Sequence, residues 1–389
     1  MQNFRFICPT NFIFGKDTEN TVGEEIKKYG KKVLLHYGGG HIKKNGLYDR
    51  VMENLKKHKI EVIELGGVKA NPDIGLVREG VEICKKENID CILAVGGGSV
   101  IDSAKAIGIG VYYDGDVWDF FAKEIPVKKM LPLGVVLTIP ATGSEASNTT
   151  VVTNLENGHL KRALSHDDLR PDFAVMNPEL TYTLPPYQTA AGGVDIMSHV
   201  FERYFTLEPN CDLTDRLCEA TLKTMIKQLP KVLKHPDNYE ARAEVMWTGT
   251  IAHNGILGIG RSEDWGSHML AHELSAFYDM THGATLAIII PHWMEYVYQT
   301  DIQRFVKYAV DVWGIENDIF HPEETALKGI QKTKEFFQTL GMPVSFEDAG
   351  IDGEKIEEMA ENCTKNGAVG GFVKLKKEDC IKIYEAALK

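Results

Sequence analysis

The chain of 389 residues carries no C-x-x-C pair, and its seven cysteines are an odd number scattered from Cys8 to Cys380. This excludes a disulfide framework and fits thiols kept reduced in a cytoplasm. Positive charge is also short: the formal net charge is -12, a surface that repels nucleic acid and anionic membrane, so any phosphate must be held locally. No stretch is long and apolar enough to span a bilayer, and the opening MQNFRFICPTNFIFG lacks a basic region running into an apolar one. Repeats, low-complexity tracts and a strict G-x-G-x-x-G are missing as well. So is H-E-x-x-H, because His272 and Glu273 are followed by Ala276 where a zinc-protease helix needs its second histidine. What remains is an ordinary cytoplasmic composition, 43% hydrophobic and 25% charged. The length exceeds what one core serves, which predicts two domains.

From Lys31 to about Val175, short apolar runs (KKVLLHY, IEVIEL, DCILAVG, LPLGVVLTIPA, FAVMNP) alternate with amphipathic stretches. Runs of this kind suit strands buried on both faces, so the alternation predicts a parallel sheet covered by helices, a Rossmann-like α/β domain. In NGLYDRVMENLKKHK, Leu47, Val51, Met52 and Leu55 fall at helical spacing before the next strand, a βαβ unit. After LPPYQTAAGG the pattern becomes helical throughout, in TDRLCEATLKTMIKQLPKVL, EARAEVMWTGTIAHNGIL and EETALKGIQKTKEFFQTLG. Pro185 and Pro186 break the earlier pattern and can open a helix. The expectation is an α/β dinucleotide-binding domain over 1–183 and an all-α metal-binding and substrate domain over 184–389.

Two strands end in glycine runs, one at Gly38, Gly39 and Gly40 and one at Gly96, Gly97, Gly98 and Ser99. Each leads into a helix, and such a turn presents backbone N–H groups where the helix dipole favours an anion. A third turn, LTIPATGSEASNT, gathers Thr138, Thr142, Ser144 and Asn148, small hydrogen-bonding residues suited to phosphate, ribose or amide groups. In the helical half, Asp195 and His199 stand four apart in GGVDIMSHVFERYF and share one helical face. His268 and His282 could close a four-ligand metal site. Any one of the thirteen histidines taken singly is more often a core or capping residue, and His253, His292 and His321 are read that way.

GGGSVIDSAK at 96–105, TIPATGSEAS at 138–147, the Asp195/His199 pair and HELSAFYDMTHG at 272–283 together resemble the iron-containing alcohol dehydrogenase family over nearly the whole chain. Within it, YGGGHIKKNGLYD and GGVDIMSHVFERYF look most like the NAD(P)H-dependent butanol dehydrogenase and broad-range aldehyde reductase branch. The resemblance implies an active site between the two domains and a homodimer. It also implies one divalent ion on Asp195, His199, His268 and His282, iron most often and zinc in some members. His272 lies one helical turn beyond His268, and the family pattern sets it beside nicotinamide and substrate, off the metal. Gly97, Gly98 and Ser99 would meet the pyrophosphate and Asp102 the nicotinamide ribose or carboxamide. Thr138, Thr142, Asn148, Lys161 and Leu180 would complete the pocket.

A metal site with three imidazoles and one carboxylate leaves room for a substrate oxygen. The expected reaction is therefore the interconversion of short to medium aldehydes and primary alcohols by hydride exchange with nicotinamide. Cofactor choice turns on Gly38: NAD-preferring relatives often carry aspartate there, whose charge repels a 2′-phosphate. Glycine admits NADP(H), which is slightly favoured over NAD(H). His41 stands where NADPH-using relatives often have serine, and Lys43 and Lys44 are near enough in sequence to pair with phosphate. The rival is a dehydroquinate-synthase-like lyase using NAD and zinc. It needs basic side chains for a phosphorylated acid, and near the metal segments the chain offers mainly Arg203 and Arg261 among Phe201, Trp265, Phe277 and Tyr278.

Overall fold

A computed structural model describes residues 1–123, 125–156 and 160–389. Among the described residues, eight strands and fifteen α-helices follow in order. Those up to residue 184 are β1 (Asn11–Phe14), α1 (Val22–Ile26), β2 (Lys32–Gly38), α2 (His41–Lys44), α3 (Leu47–Lys57), β3 (Glu61–Val68), α4 (Ile74–Glu87), β4 (Cys91–Gly96), α5 (Gly98–Gly110), α6 (Asp119–Ala122), β5 (Leu133–Leu137), β6 (Thr149–Asn154), β7 (Leu160–Ser165) and β8 (Phe173–Met176). The rest are helices: α7 (Pro186–Tyr204), α8 (Asp212–Lys234), α9 (Tyr239–His253), α10 (Gly266–Tyr278), α11 (His282–Val297), α12 (Ile302–Trp313), α13 (Pro322–Thr339), α14 (Ile356–Cys363) and α15 (Lys377–Ala386).

The chain divides into two compact units. The α/β unit comprises Ile7–Leu184 and Asp237–Thr250, and the helical unit comprises Met1–Phe6, Pro185–Pro236 and Ile251–Lys389. Two segments thus group away from the expected division at 183/184: the first six residues go with the helices and most of α9 goes with the sheet. The reason for the second is packing. Met246 of α9 is fully buried in the core on one face of the sheet, among Ala174, Met176 and Val152.

The sheet is parallel in every pairing, with strand order β1-β8-β5-β4-β2-β3. The five apolar runs read from the sequence are β2, β3, β4, β5 and β8. All six residues of β4 are buried, because helices cover both faces and form a separate apolar core on each. Helix α3 buries Leu47, Val51 and Leu55, one side chain per turn, and Asp73 caps α4 by accepting the Gly75 N–H at 2.6 Å. The edge strand β1 and the antiparallel hairpin β6–β7 were not expected. Strand β1 is four residues long with an exposed–half-buried–half-buried–exposed pattern, too short to carry a period. In the helical unit, α8 runs through Pro230, so that proline does not end the helix where its lost N–H would suggest. No helix among the described residues is long and apolar enough to cross a membrane.

Candidate metal centre and nucleotide turns

Helix α7 starts from Pro186 at its first turn, where a proline's missing N–H costs nothing, and is buried from Thr189 to Tyr204. Asp195 and His199 lie on one face of it, with His199 Nε2 3.8 Å from Asp195 Oδ1. Helix α10 brings His268 and helix α11 begins with His282, whose Nε2 is 4.0 Å from the same carboxylate oxygen. Ligand atoms of Asp195, His268 and His282 all fall within 4.8 Å of one another. The His199 and His268 rings stack at 5.0 Å, and those of His268 and His282 meet edge-on at 5.3 Å. Ligands at ~2.1 Å on a tetrahedral ion stand about 3.4 Å apart, so atoms that lie within 4.8 Å of one another need to close in by at most roughly 1.4 Å. Three nitrogens and one oxygen suit Fe(II), Zn(II) and their neighbours.

Burial, reinforced by His253, His268 and Arg203, lowers the pKa of His199 well below the usual imidazole value, leaving the neutral form that binds cations. Glu202 is almost fully buried. Burial would raise its pKa, but the His268 ring and hydrogen bonds from His268 and Ser267 outweigh it and hold the carboxyl below its ordinary range. Asp264, taken up to about 7 by burial and by the charge of Glu202, accepts N–H bonds from Gly266, Gly371 and Phe372 at 2.8 Å each.

The structure brings His272 close to the cluster without joining it: its ring is 5.0 Å from His282 and 6.3 Å from His268. His253, set aside in the sequence reading, is close too. Its ring centre lies 4.2 Å from that of His199 and its Nδ1 faces Arg203 Nη2 at 3.3 Å. No periodicity could have placed it there, since it arrives on a different helix. His292 bonds the Ile288 carbonyl and His321 pairs with Asp318, as structural histidines do.

Trp265 stands at φ 66°, with its ring edge-on to His268 at 5.0 Å and the Arg203 guanidinium over it at 5.0 Å. The two arginines that the lyase reading needs are committed internally. Arg203 donates to the His199 carbonyl at 2.7 Å and pairs with Glu263 at 3.2 Å. Arg261 donates to the carbonyls of Arg203 and Cys211 and pairs with Asp215 at 2.7 Å.

In the α/β unit the glycine turns follow β2 and β4. Gly38 ends β2, and a Cβ at Gly39 or Gly40 would meet nothing within 4 Å. His41 Nε2 is 3.2 Å from Thr183 Oγ1. Lys43 sits over the rings of Tyr37 and Tyr48 and 3.4 Å from Glu64, which also accepts both tyrosine hydroxyls. Gly97 and Gly98 open α5, and a Cβ on Gly98 would lie 2.2 Å from Thr142 Oγ1. The second and third turns therefore touch through a position where only glycine fits.

Ser99 Oγ donates to Ala70 O at 2.5 Å, leaving its N–H at the helix start for an anion. Asp102 takes Ser144 Oγ on one oxygen and Val151 N–H on the other, and burial raises its pKa. Thr138 N–H pairs with Gly96 O. Asn148 Nδ2 lies 3.4 Å from Asp167, and Lys161, on β7, donates to Asn71 at 3.2 Å. Leu180 is buried in the core that also holds residues of α3 and β2. The sequence reading missed Lys105. Fully buried, it donates to the carbonyls of Ser147 and Thr149 at 3.0 and 2.8 Å, and burial lowers its pKa to about 8. It ties the third turn to α5.

The chain is similar to known proteins over nearly its whole length. Residues 9–178 match the family described as iron-containing alcohol dehydrogenase, and residues 189–388 match its C-terminal domain. The NADH-dependent butanol dehydrogenase A of Clostridium acetobutylicum is 44% identical over 388 residues, covering 99% of each chain. The NADPH-dependent aldehyde reductase of Escherichia coli is 37% identical over all of both chains. A crystal structure of NADH-dependent butanol dehydrogenase A from Thermotoga maritima superposes with a TM-score of 0.96 at 42% identity, covering 100% of this chain and 99% of that one. With both halves matched and these relatives spanning it from end to end, the chain belongs to the iron-containing alcohol dehydrogenase family, in the branch of the butanol dehydrogenases and aldehyde reductases.

Proposed function

We propose that this protein interconverts short to medium aldehydes, butanal among them, and their primary alcohols, with one divalent ion and NAD(P)(H). The observation that carries this is the meeting of Asp195, His268 and His282 within 4.8 Å, with His199 3.8 Å from the same carboxylate. When bound, the ion supplies Lewis acidity to the substrate oxygen and the dihydronicotinamide supplies hydride.

The chain's own residues do the rest. Asp195 contributes the one negative charge of the ligand set, and His199, His268 and His282 contribute neutral nitrogens, with iron the expected ion and zinc the alternative. His272, whose ring lies 5.0 Å from that of His282, would orient the substrate, and either it or water would supply the proton to the product oxygen. On the cofactor, Gly97, Gly98 and Ser99 offer N–H groups to the pyrophosphate, and Gly38, Gly39, Gly40 and His41 flank the adenosine ribose. Asp102, Thr138, Thr142, Asn148, Lys161 and Leu180 shape the remainder. NADP(H) stays slightly favoured, because no carboxylate ends β2. Relatives named for either cofactor are found, NADH for the clostridial enzyme and NADPH for the E. coli one.

We read the protein as a cytoplasmic homodimer, with β1, an edge strand beside exposed Phe14 and Trp247, as the natural place for a second copy to pair. The test is anaerobic reconstitution with Fe(II) or Zn(II), followed by NADPH and NADH oxidation against an aldehyde series, with and without chelator. Metal-dependent oxidation with aldehydes supports the reading; no aldehyde-dependent oxidation under either metal rejects it.

A further inference from the structure

Helix α7 carries a third side chain on the stripe that bears Asp195 and His199. Glu202 lies seven residues after Asp195 and three after His199, so all three share one helical face. It is 2% exposed, and no other acidic residue of α7 follows the pair. A buried carboxylate is costly unless its oxygens are filled by donors, and those of Glu202 are filled from one source, the first turn of α10. Oε1 accepts His268 Nδ1 at 2.6 Å, Ser267 Oγ at 2.6 Å and His268 N–H at 3.1 Å. Oε2 accepts the N–H of Trp265, and the Glu202 carbonyl accepts the N–H of Asp264 at 2.7 Å.

We infer that Glu202 is a positioning residue for the metal centre: it fixes the tautomer and the ring direction of His268 from the helix that also supplies Asp195 and His199. The inference rests on the proposed ligand set. A carboxylate on Nδ1 keeps the proton there and leaves Nε2 as the lone-pair nitrogen. Without it the His268 ring is free to turn over or to take its proton on Nε2, the form that cannot bind a cation. Holding Trp265 matters for the same reason. That residue sits at φ 66°, a conformation unfavourable for a bulky side chain, and the bond to Glu202 keeps the first turn of α10, and with it His268, in register. Asp264 does not duplicate the role, since its oxygens take the N–H groups of Gly266, Gly371 and Phe372. One helix therefore supplies two ligands and the carboxylate that aims a third.

The test is Co(II) binding to the metal-free full chain, followed by its ligand-field absorption, in the unaltered protein, Glu202→Gln and Ser267→Ala. Glu202→Gln should weaken Co(II) binding about 10- to 100-fold and change the ligand-field bands. Ser267→Ala, which removes a hydrogen bond to the same oxygen and leaves the ring contact, should stay within about threefold of the unaltered protein. Equal affinity and equal bands for Glu202→Gln overturn the positioning role and leave the ligand set standing. An unaltered chain that binds no Co(II) overturns the ligand set and the inference together. If Glu202→Gln does not fold, ¹⁵N-histidine spectra of the unaltered metal-free chain decide. His268 carrying its proton on Nδ1 supports the inference, and His268 protonated on Nε2 overturns it.

Discussion

Gly98 is the sharpest point at which the nucleotide turns can be tested. A methyl group there would sit 2.2 Å from Thr142 Oγ1, 2.6 Å from its Cγ2 and 2.9 Å from its Cβ, where ordinary contact is 3.4–4 Å. Relief needs a shift of roughly an ångström in Thr142 or in the start of α5, and overpacking of this kind costs about 1–3 kcal/mol. Thr142 Oγ1 also accepts the Ser144 N–H at 3.2 Å, and Ser144 in turn donates to Asp102, so the displacement spreads along the residues assigned to the cofactor. Gly98→Ala should therefore raise the NAD(P)H Kd by about 5- to 150-fold, read by nicotinamide fluorescence titration with circular dichroism to confirm the fold. Thr142→Ala in the same chain removes the two closest contacts and keeps the third. The double variant should bind better than the two single effects multiplied would allow. Unchanged Kd for Gly98→Ala, or effects that simply multiply, would refute the claim that Gly98 and Thr142 meet within the cofactor site.

Three further outcomes follow. A Cβ on Gly283 would lie 1.9 Å from the Ala191 carbonyl, backbone against backbone beside His282, so Gly283→Ala should cost about 3 kcal/mol, seen as a lower unfolding temperature together with weaker Co(II) binding. Glu64 engages Lys43 at 3.4 Å in a half-exposed pair; Glu64→Gln should release Lys43 and raise the NADPH-to-NADH ratio of kcat/KM by about 2- to 5-fold, and an unchanged ratio would remove Lys43 from the phosphate site. Burial lowers the pKa of His36 from 6.5 to about 4. The folded state thus binds fewer protons than the unfolded one between those values, and this share of stability is complete above pH 6.5 and lost as pH falls toward 4. The loss is about 3 kcal/mol, and chemical denaturation from pH 7.5 to 4.5 should show a shallower decline in His36→Gln.

What the sequence disclosed depended on whether a residue's role is set locally. Strands β2, β4, β5 and β8 lie beneath helices and so read as nearly unbroken apolar runs, while β3, at the sheet's other edge, was legible from its alternation of apolar and acidic residues. The hairpin β6–β7 is mixed in polarity and the edge strand β1 is only four residues long, and neither left such a trace. Asp195 and His199 were legible because one helical turn joins them, and the glycine turns because an anion site needs N–H groups at a helix start. The neighbourhood of His253 is set by packing between helices far apart in sequence. Glu202 was concealed by its type, since a glutamate on a helix is usually solvated, and the donors that make it exceptional come from Trp265, Ser267 and His268. The grouping of α9 with the sheet is likewise decided by where Met246 finds its apolar partners.

The most direct test of metal-dependent hydride transfer is to follow the hydride itself. The Fe(II)- or Zn(II)-loaded protein is given butanal and nicotinamide cofactor deuterated at both C4 positions, and the product is examined by mass spectrometry. The account predicts butan-1-ol carrying one deuterium on C1, formed with metal and lost with chelator or in His282→Ala. Cofactor oxidation that leaves the alcohol without deuterium, or equal deuterated alcohol after the metal is removed, would contradict it.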